Sequence, residues 1–508
     1  MATPDERAAG RLVGAERADE LRTAARDWPS WSLTARQLTD LELIVNGSFA
    51  PLAGYLGRAD HAAVLDRRAL ADGTPWPAPI TLDVGAETAE EAERAGHLAL
   101  RDPEGVLLAV LEVRERFAPD RADEAERLFG RLDEGHEGVD RLLRHTQPNR
   151  LAGPIEAVEL PVHWTFSGHR LSPAGARAAV QALGVEHVAG FPTADPPLGD
   201  DLDALQAASD AGAAVLVAVL IGPGPSAFDP FTVMRAWHAA RDRLPAPSLL
   251  GAVPLARVGD DVRDRELAAV VLRNLGATEV LPAAVPETAA SPAALRARLD
   301  QGLDLPAGVA VPEVEAELRH SIRPLAERGF TVFMTGFSGS GKSTVAQALA
   351  ARLRERGGRS VALLDGDLVR HHLSSELGFS REHRDINIRR IGFVAAEITR
   401  AGGIAICAPI APYDGVRRDV RAMVEEAGGF VLVHISTPLE VCEARDRKGL
   451  YAKARAGIIG EFTGISDPYE VPRDAELTID TTEIDVDDAV ARILAELTAV
   501  GYLSAEPG

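Results

Sequence analysis

Gly336-Phe337-Ser338-Gly339-Ser340-Gly341-Lys342-Ser343, followed by Thr344, has the residue types and spacing of a phosphate-binding loop. Glycines let successive backbone N–H groups converge on phosphate oxygens, and a helix starting at the end of the loop adds its positive dipole end. In such a loop Lys342 reaches the outer phosphates and the Ser343 hydroxyl can ligate Mg²⁺. The chemistry on offer is phosphoryl transfer from a nucleoside triphosphate held with Mg²⁺. The loop alone does not say what accepts the phosphoryl group.

Residues C-terminal to the loop bear on the acceptor. In Leu364-Asp365-Gly366-Asp367-Leu368-Val369-Arg370, two carboxylates end an apolar run. At the carboxyl edge of a parallel strand they would face the phosphates, one organising the metal or its waters and the other taking a proton from an attacking hydroxyl. Paired aspartates in a loop also serve as caps or solvated charges, and it is their position after the phosphate loop that favours chemistry. Downstream, Phe379, Arg384, Asn387, Arg389 and Arg390 bring an aromatic ring, cations and an amide into one segment. Arg384 can grip phosphate or sulfate oxygens, Phe379 can stack on a base, and Asn387 can hydrogen-bond base or ribose. Arg389 and Arg390 are equally compatible with a solvated helix face.

The elements that must position these groups can be read from the apolar pattern. Strand-like runs at Thr331–Met334, Val361–Leu364, Ile404–Ala408 and Phe430–Ile435 alternate with helical stretches, the first starting at Ser343. Such alternation implies a parallel sheet covered by helices on both faces. Residues 1–165 instead carry short apolar runs, Trp76–Val84 and Gly105–Val113 among them, punctuated by Pro and Gly, which suggests a β-rich domain with some helix. From 166 to 310, Ala-rich helical stretches such as Ala176–Leu183 alternate with strand-like runs such as Ala213–Ile221, an α/β pattern. Residues 311–328 read as a linker helix, and 329–508 as the domain of the phosphate loop.

The chain has 508 residues, 46% of them hydrophobic and 26% charged, enough for about three domains at roughly 150 residues each. A formal charge of −22 argues against nucleic-acid or anionic-membrane surfaces, which need stripes of Lys and Arg. Only Cys407 and Cys442 occur, so there is no disulfide framework and no cysteine-based zinc spacing. The N-terminal stretch lacks an apolar core of signal-peptide length and no later run is long enough for a membrane helix, so a cytoplasmic location is expected.

The blocks GFSGSGKST, LLDGDLVRHHLSSELGFS, NIRRIGFVA, TPLEVCEARDRKGLYAKARAG and EFTGISDPYEVP together resemble the kinases of adenosine 5′-phosphosulfate (APS) over roughly 330–505. The resemblance implies a P-loop kinase that uses ATP and Mg²⁺ to convert APS to 3′-phosphoadenosine 5′-phosphosulfate (PAPS). It implies an ATP site of Gly336 to Thr344 with Arg445, catalysis by Lys342, Asp365 and Asp367, and Mg²⁺ on Ser343. It implies an APS site of Asp367, Arg370, Phe379, Arg384, Asn387, Ile410, Ala411, Lys448 and Phe462, under a lid of about 445–470. The chain departs from the family at Ala411, where a serine sometimes described as a phosphorylated intermediate is usual, and at Arg447, where proline is common. Direct transfer from ATP to the ribose hydroxyl needs no protein nucleophile, so activity is expected despite Ala411.

Leu41–Leu52, Trp76–Val84 and Leu160-Pro161-Val162-His163 resemble the N-terminal, PUA-like domain of ATP sulfurylases. Sulfurylases continue with a Gln-x-Arg-Asn-Pro-x-His-x-x-His segment whose cations bind sulfate and phosphates. Here Phe191–Asp200 has no Arg or His and two aspartates, Asp195 and Asp200, which would repel those anions. Residues 166–310 are therefore expected to be a degenerate sulfurylase-like domain, with Arg235, His238 and Arg273 as the cations that could substitute, and His163 and His169 as isolated imidazoles. The expectation is a homo-oligomeric kinase acting on ATP and APS, with no nucleic-acid or membrane partner. The alternatives are a working bifunctional PAPS synthase and a non-catalytic nucleotide sensor.

Overall fold

The computed structural model describes residues 11–133, 135–282, 291–446 and 449–504, the side chain of Asp367 excepted. Strand Asn149–Ala157 is the hub of the N-terminal β region, pairing antiparallel with Gly54–Tyr55, Leu82–Val84, Leu107–Glu112 and Glu115–Phe117 in a seven-stranded sheet. The run Leu107–Glu112 is apolar almost throughout because it is covered twice: Leu108 and Leu111 enter the main core, and Leu107 and Val110 meet Ala18 and Leu21 of helix Ala15–Ala24. A second sheet, wholly parallel, orders Ser248–Val253, Ala214–Leu220, Val188–Thr193 and Glu279–Val280.

Helix Asp261–Leu275 shows why this part reads as α/β. Leu267, Ala268, Val271, Leu272 and Leu275 recur at helical spacing and are buried, Asp260 caps the start by accepting from the Arg263 amide, and Gly276 ends the helix at φ 111°. The same apolar cluster contains Trp76, Leu98 and Leu151 from the β region and Val188, Leu216, Val253 and Leu272 from the α/β region. The core thus runs continuously across the boundary suggested near 165. The compact units of the chain are Met1–Arg296 with Leu305–Ser321, and Ala297–Asp304 with Ile322–Gly508. Between 311 and 328, a helix spans Pro312–Ser321 and a short 3₁₀ turn spans Leu325–Glu327, with Pro324 between them unable to continue the helix.

One buried acid in the first unit has a measurable consequence. Asp40 is 6% exposed with Oδ1 lacking a hydrogen-bond partner among the described residues. Burial pushes its carboxyl from 3.8 up to about 6, with Arg36 and Arg141 pulling down and Asp83 pushing up. Because the folded value is the higher one, stability present below about pH 4 is lost as pH rises through about 6. Asp40→Asn is expected to stabilise this unit at pH 7.5 by up to about 3 kcal/mol, at about 1.4 kcal/mol for each tenfold change in proton affinity, and to change it little at pH 4. All five tryptophans, from Trp28 to Trp237, belong to this unit, so their fluorescence on urea unfolding at the two pH values checks the prediction.

The second unit is built on a five-stranded parallel sheet. In chain order its strands are β1 (Phe330–Thr335), β2 (Val361–Asp365), β3 (Ile404–Ala408), β4 (Gly429–Ile435) and β5 (Leu477–Ile479), arranged β2-β3-β1-β4-β5. Helices α1 (Lys342–Arg356) and α2 (Gly366–Leu373) follow β1 and β2, α3 (Arg381–Arg400) leads into β3, and α4 (Asp414–Glu425) leads into β4. Helices α5 (Leu439–Arg445) and α6 (Leu450–Arg455) precede β5, and α7 (Val486–Ala499) follows it. One face of the sheet buries Val332, Ile406 and Val433 against α1 and α7, and the other buries Phe333, Ala405 and Leu432 against α3 and α4. Adjacent residues of each strand point to opposite faces, and both are covered, so these strands are apolar without alternation. The strand order reverses at β1, the position at which ligands bind beyond the carboxyl ends of an open parallel sheet. Among the described residues no helix is long and apolar enough to cross a membrane.

Candidate active site

The phosphate loop joins β1 to α1 at that reversal. Gly336 has φ 150°, and a Cβ there would lie 2.4 Å from the carbonyl oxygen of Ile435 in β4; Gly339 has φ 74° with the Cys442 carbonyl 3.1 Å from its would-be Cβ. These contacts are why the loop needs glycine at both places. Lys342 is 5% exposed, and its Nζ donates to the carbonyls of Gly336 (2.9 Å) and Phe337 (2.6 Å) and to Ser340 Oγ (3.4 Å). The Ser340 carbonyl is held in turn by the hydroxyls of Thr481 (2.8 Å) and Thr437 (3.2 Å), and Tyr451 donates its hydroxyl to the Ser338 carbonyl (2.8 Å). Phe337 packs its ring on Tyr469 at 4.9 Å.

The loop opens on a cavity of about 1290 Å³. Ser338, Gly339, Gly341, Lys342, Ser343 and Thr344 line one end together with Arg445, whose guanidinium donates to Thr481 Oγ1 and O at 3.0 and 2.9 Å. Asp365, the last residue of β2, lines it as well, with Arg370, Phe379, Arg384, Asn387, Ile410, Ala411 and Phe462 beyond. Every described residue expected to contact the nucleotide sulfate therefore lines the same cavity as the phosphate loop. Gly336, Phe337 and Ser340 build the loop behind that lining. Lys448 and Arg447 lie outside the described residues, as does the side chain of Asp367 in the first turn of α2.

Helix α3 explains which of its polar groups face inward. Ser380 caps it by accepting from the His383 amide, and the inward stripe then runs from the half-buried Arg384 through the buried Asn387, Ile388 and Ile391 at spacings of three and four. Arg384 is 12% exposed; its Nη1 donates to Thr463 Oγ1 and to Asp467 Oδ2, both at 2.9 Å. Its Nε and Nη2, and Asn387 Oδ1, are buried with no hydrogen-bond partner among the described residues. Arg389 and Arg390 point elsewhere, into exposed ion pairs with Asp419 and Glu376. Arg370 braces its own loop, donating to the carbonyls of Leu377 (3.0 Å) and Gly378 (2.9 Å) and stacking 4.3 Å above the Phe379 ring, which is 63% exposed.

Ala411 has φ 44° and is fully buried in the apolar cluster of Phe333, Val369 and Ile388. Its carbonyl accepts from Arg417 (2.8 Å) and Thr335 (3.2 Å), and the Ile410 carbonyl accepts from Thr335 (2.6 Å). The strained position is held by side chains that donate to these backbone carbonyls. Tyr413 donates to both oxygens of Asp467 (2.9 and 2.8 Å), and burial, with that hydrogen bond second, pushes its phenol up to about 12. Thr437, Thr481, Tyr451, Tyr413, Thr463 and Asp467 all touch the site and were not visible as site residues in the sequence. Thr481 follows a strand of three residues, Leu477–Ile479, too short to stand out as a run.

Residues 328–480 match the adenylylsulphate kinase family and residues 4–160 match the PUA-like domain. A sulfate adenylyltransferase of Phaeosphaeria nodorum is 38% identical, over 96% of this chain and 97% of its own. One of Aspergillus clavatus is 37% identical, over 96% of each. A solved structure described as a hexameric APS kinase from Thiobacillus denitrificans matches with a TM-score of 0.74 at 34% identity, covering 97% of this chain and 98% of that one. The chain belongs to the family that joins an APS kinase domain to a sulfurylase-like N-terminal region. Its fold is the expected one, a P-loop kinase domain preceded by a PUA-like domain and an α/β region.

In the sulfurylase-like region the two aspartates have structural surroundings. Asp200 is exposed in the first turn of helix Gly199–Asp210, where the dipole favours a negative charge. Asp195 follows strand Val188–Thr193, its carboxyl held above the usual range by burial, with Arg257 opposing. Of the three cations that could substitute for the missing ones, Arg235 is engaged by Glu317 (2.7 Å) and Ser321 (2.9 Å), and Arg273 sits exposed in the last turn of its helix. His238 lies against His169, the rings tilted by 58° with centroids 4.6 Å apart, and burial, then His169 and Arg241, hold it below the ordinary imidazole value. His163 is taken up by Glu42 at 2.7 Å. Arg257, which carries no signal in the sequence, is the cation acting on Asp195.

Proposed function

We propose that the second unit transfers the γ-phosphoryl group of ATP to the 3′-hydroxyl of APS, giving PAPS and ADP in sulfate activation. The observation that carries this reading is the pair of unsatisfied buried donors on Arg384, with Asn387 Oδ1, on two residues that line the same cavity as the phosphate loop. Buried donors without partners are costly, and an anionic ligand would satisfy them. The cavity exceeds the roughly 300–1,000 Å³ of a single small-molecule site, in keeping with two nucleotides meeting inside it.

In the reaction the 3′-oxygen forms a bond to the γ-phosphorus, the bond from that phosphorus to the bridging β–γ oxygen breaks, and the electron pair leaves on ADP. The proton of the 3′-hydroxyl goes in the first instance to Asp367, in the first turn of α2, with Asp365 at the end of β2 as the other carboxylate. Lys342 and the loop amides hold the phosphates, Arg384 and Asn387 fix the sulfonucleotide, and Phe379 offers a face to its base. The donors present suit Mg²⁺: Ser343 and Asp365, both lining the cavity, would supply oxygen, and no cluster of three acidic, His or Cys side chains occurs among the described residues to form a closed metal cage. Bound with ATP, Mg²⁺ would neutralise charge developing on the phosphates. The burial of Ala411 in an apolar cluster fits direct transfer, with no covalent step on the enzyme.

The names of the sulfate adenylyltransferase relatives favour a second reading, in which the N-terminal region also makes APS. We read it as inactive, because sulfate attack on the α-phosphorus brings anions together and Asp195 and Asp200 stand where the family places Arg and His. Assembly as an oligomer is proposed on the likeness to the hexameric relative. One experiment tests both halves: full-length protein with ATP and Mg²⁺, given either APS or sulfate plus pyrophosphatase. PAPS is expected from APS, and no APS from sulfate. Absence of PAPS would overturn the kinase assignment, and sulfate-dependent pyrophosphate release that survives Lys342→Ala would restore the bifunctional one.

A further inference from the structure

Arg384 is held by one edge. Its Nη1 donates to Thr463 and Asp467, while Nε and Nη2 are buried without partners among the described residues, on a residue that lines the cavity. Asp467, 15% exposed, is fixed in its turn by the Tyr413 hydroxyl, which donates to both of its oxygens. The Tyr413 ring lies under the guanidinium, 5.6 Å from Cζ. The chain around Asp467 is a tight loop, with its amide bonded to the Phe462 carbonyl (3.2 Å) and its carbonyl accepting from Gly464 (2.8 Å). The carboxylate therefore cannot follow the arginine if the arginine moves.

We propose that Asp467 is a positioning residue for the anionic acceptor: with Tyr413 it locks the Arg384 guanidinium in the one orientation that presents Nε and Nη2 to the phosphosulfate. This rests on the reading of the cavity as an APS site. A guanidinium recognises an oxyanion through two parallel N–H donors in a plane, and that fork is useful only if the plane is fixed before the ligand arrives. An isolated arginine would bind by charge alone. The partner carboxylate offsets part of that charge, so the network trades attraction for direction and favours a ligand whose oxygens match the fork.

The test is a kinetic double-mutant cycle in the full-length protein, with APS and ATP varied separately, using Asp467→Ala, Arg384→Ala and the double variant. Asp467→Ala is expected to raise KM for APS about 10-fold or more and KM for ATP less than about 2-fold. If Asp467 acts through Arg384, the double variant matches Arg384→Ala within about 2-fold. Asp467→Asn, which keeps the shape and one acceptor oxygen, should fall between wild type and alanine. Tyr413→Phe, which deletes only the hydroxyl, should raise KM for APS severalfold and carries the test if Asp467→Ala does not fold.

Multiplicative effects in the double variant, or equal rises in both KM values, would overturn the proposal. If Arg384→Ala raises KM for APS and neither Asp467 variant nor Tyr413→Phe does, the proposal alone falls. If wild type does not use APS, or Arg384→Ala leaves KM for APS unchanged, the reading of the site falls and the proposal with it.

Discussion

Lys342→Ala is expected to lower kinase turnover by about 10²–10³-fold or more, the loss that typically follows removal of a cation placed against a transferring phosphoryl group. Two physical effects combine. The ammonium that would meet the outer phosphates is gone, and the carbonyls of Gly336 and Phe337 lose the donor that ties the loop back on itself. Because those carbonyls can turn toward water that fills the side-chain space, the fold should persist. Steady-state PAPS formation at saturating ATP and APS measures the effect, and the tryptophan unfolding transition, which reports only the first unit, should not move. Near-normal turnover would mean that the loop does not hold the transferring group.

Gly336→Ala should be almost as damaging without touching any charge. At φ 150° an L-residue is strained, and the new Cβ would sit 2.4 Å from the Ile435 carbonyl oxygen, which belongs to the central sheet and cannot withdraw. The loop must shift instead, and its amides with it. Strain of this kind costs about 1–3 kcal/mol, and misplacing phosphate donors by about 1 Å can cost about 10²-fold in rate. The expected result is a large rise in the ATP dissociation constant and a turnover loss of about 10²-fold, read by calorimetric titration and steady-state kinetics. Wild-type ATP affinity would show that the loop tolerates a side chain there.

Much of the catalytic unit is determined by local sequence. The phosphate loop, the carboxylate pair Asp365 and Asp367 and the run from Phe379 to Asn387 each owe their identity to backbone and side-chain chemistry acting over a few residues, and four of the five strands were legible because both faces of the sheet are covered and the runs are apolar throughout. Helical spacing in α3 separates Arg384 and Asn387 from Arg389, but from sequence alone either face could be the buried one. Only the packing of Ile388 and Ile391 against β3 and α4 decided that.

Other features were not legible for a common reason: they depend on residues far apart in the chain meeting at the carboxyl edge of the sheet. Thr437 and Thr481 clamp the phosphate loop across more than 90 residues of sequence, Asp467 meets Arg384 across 83, and neither residue type is unusual in a loop. In the N-terminal region the sequence determined which cations are missing, because absence of Arg and His in a segment is a local fact. What became of the remaining charges was decided by tertiary structure. Burial raises the affinity of Asp195 for its proton, with Arg257 opposing, and the pairing of Arg235 with Glu317 takes up a cation that sequence alone left available, because partners and solvent exposure are properties of the folded surface and not of the segment.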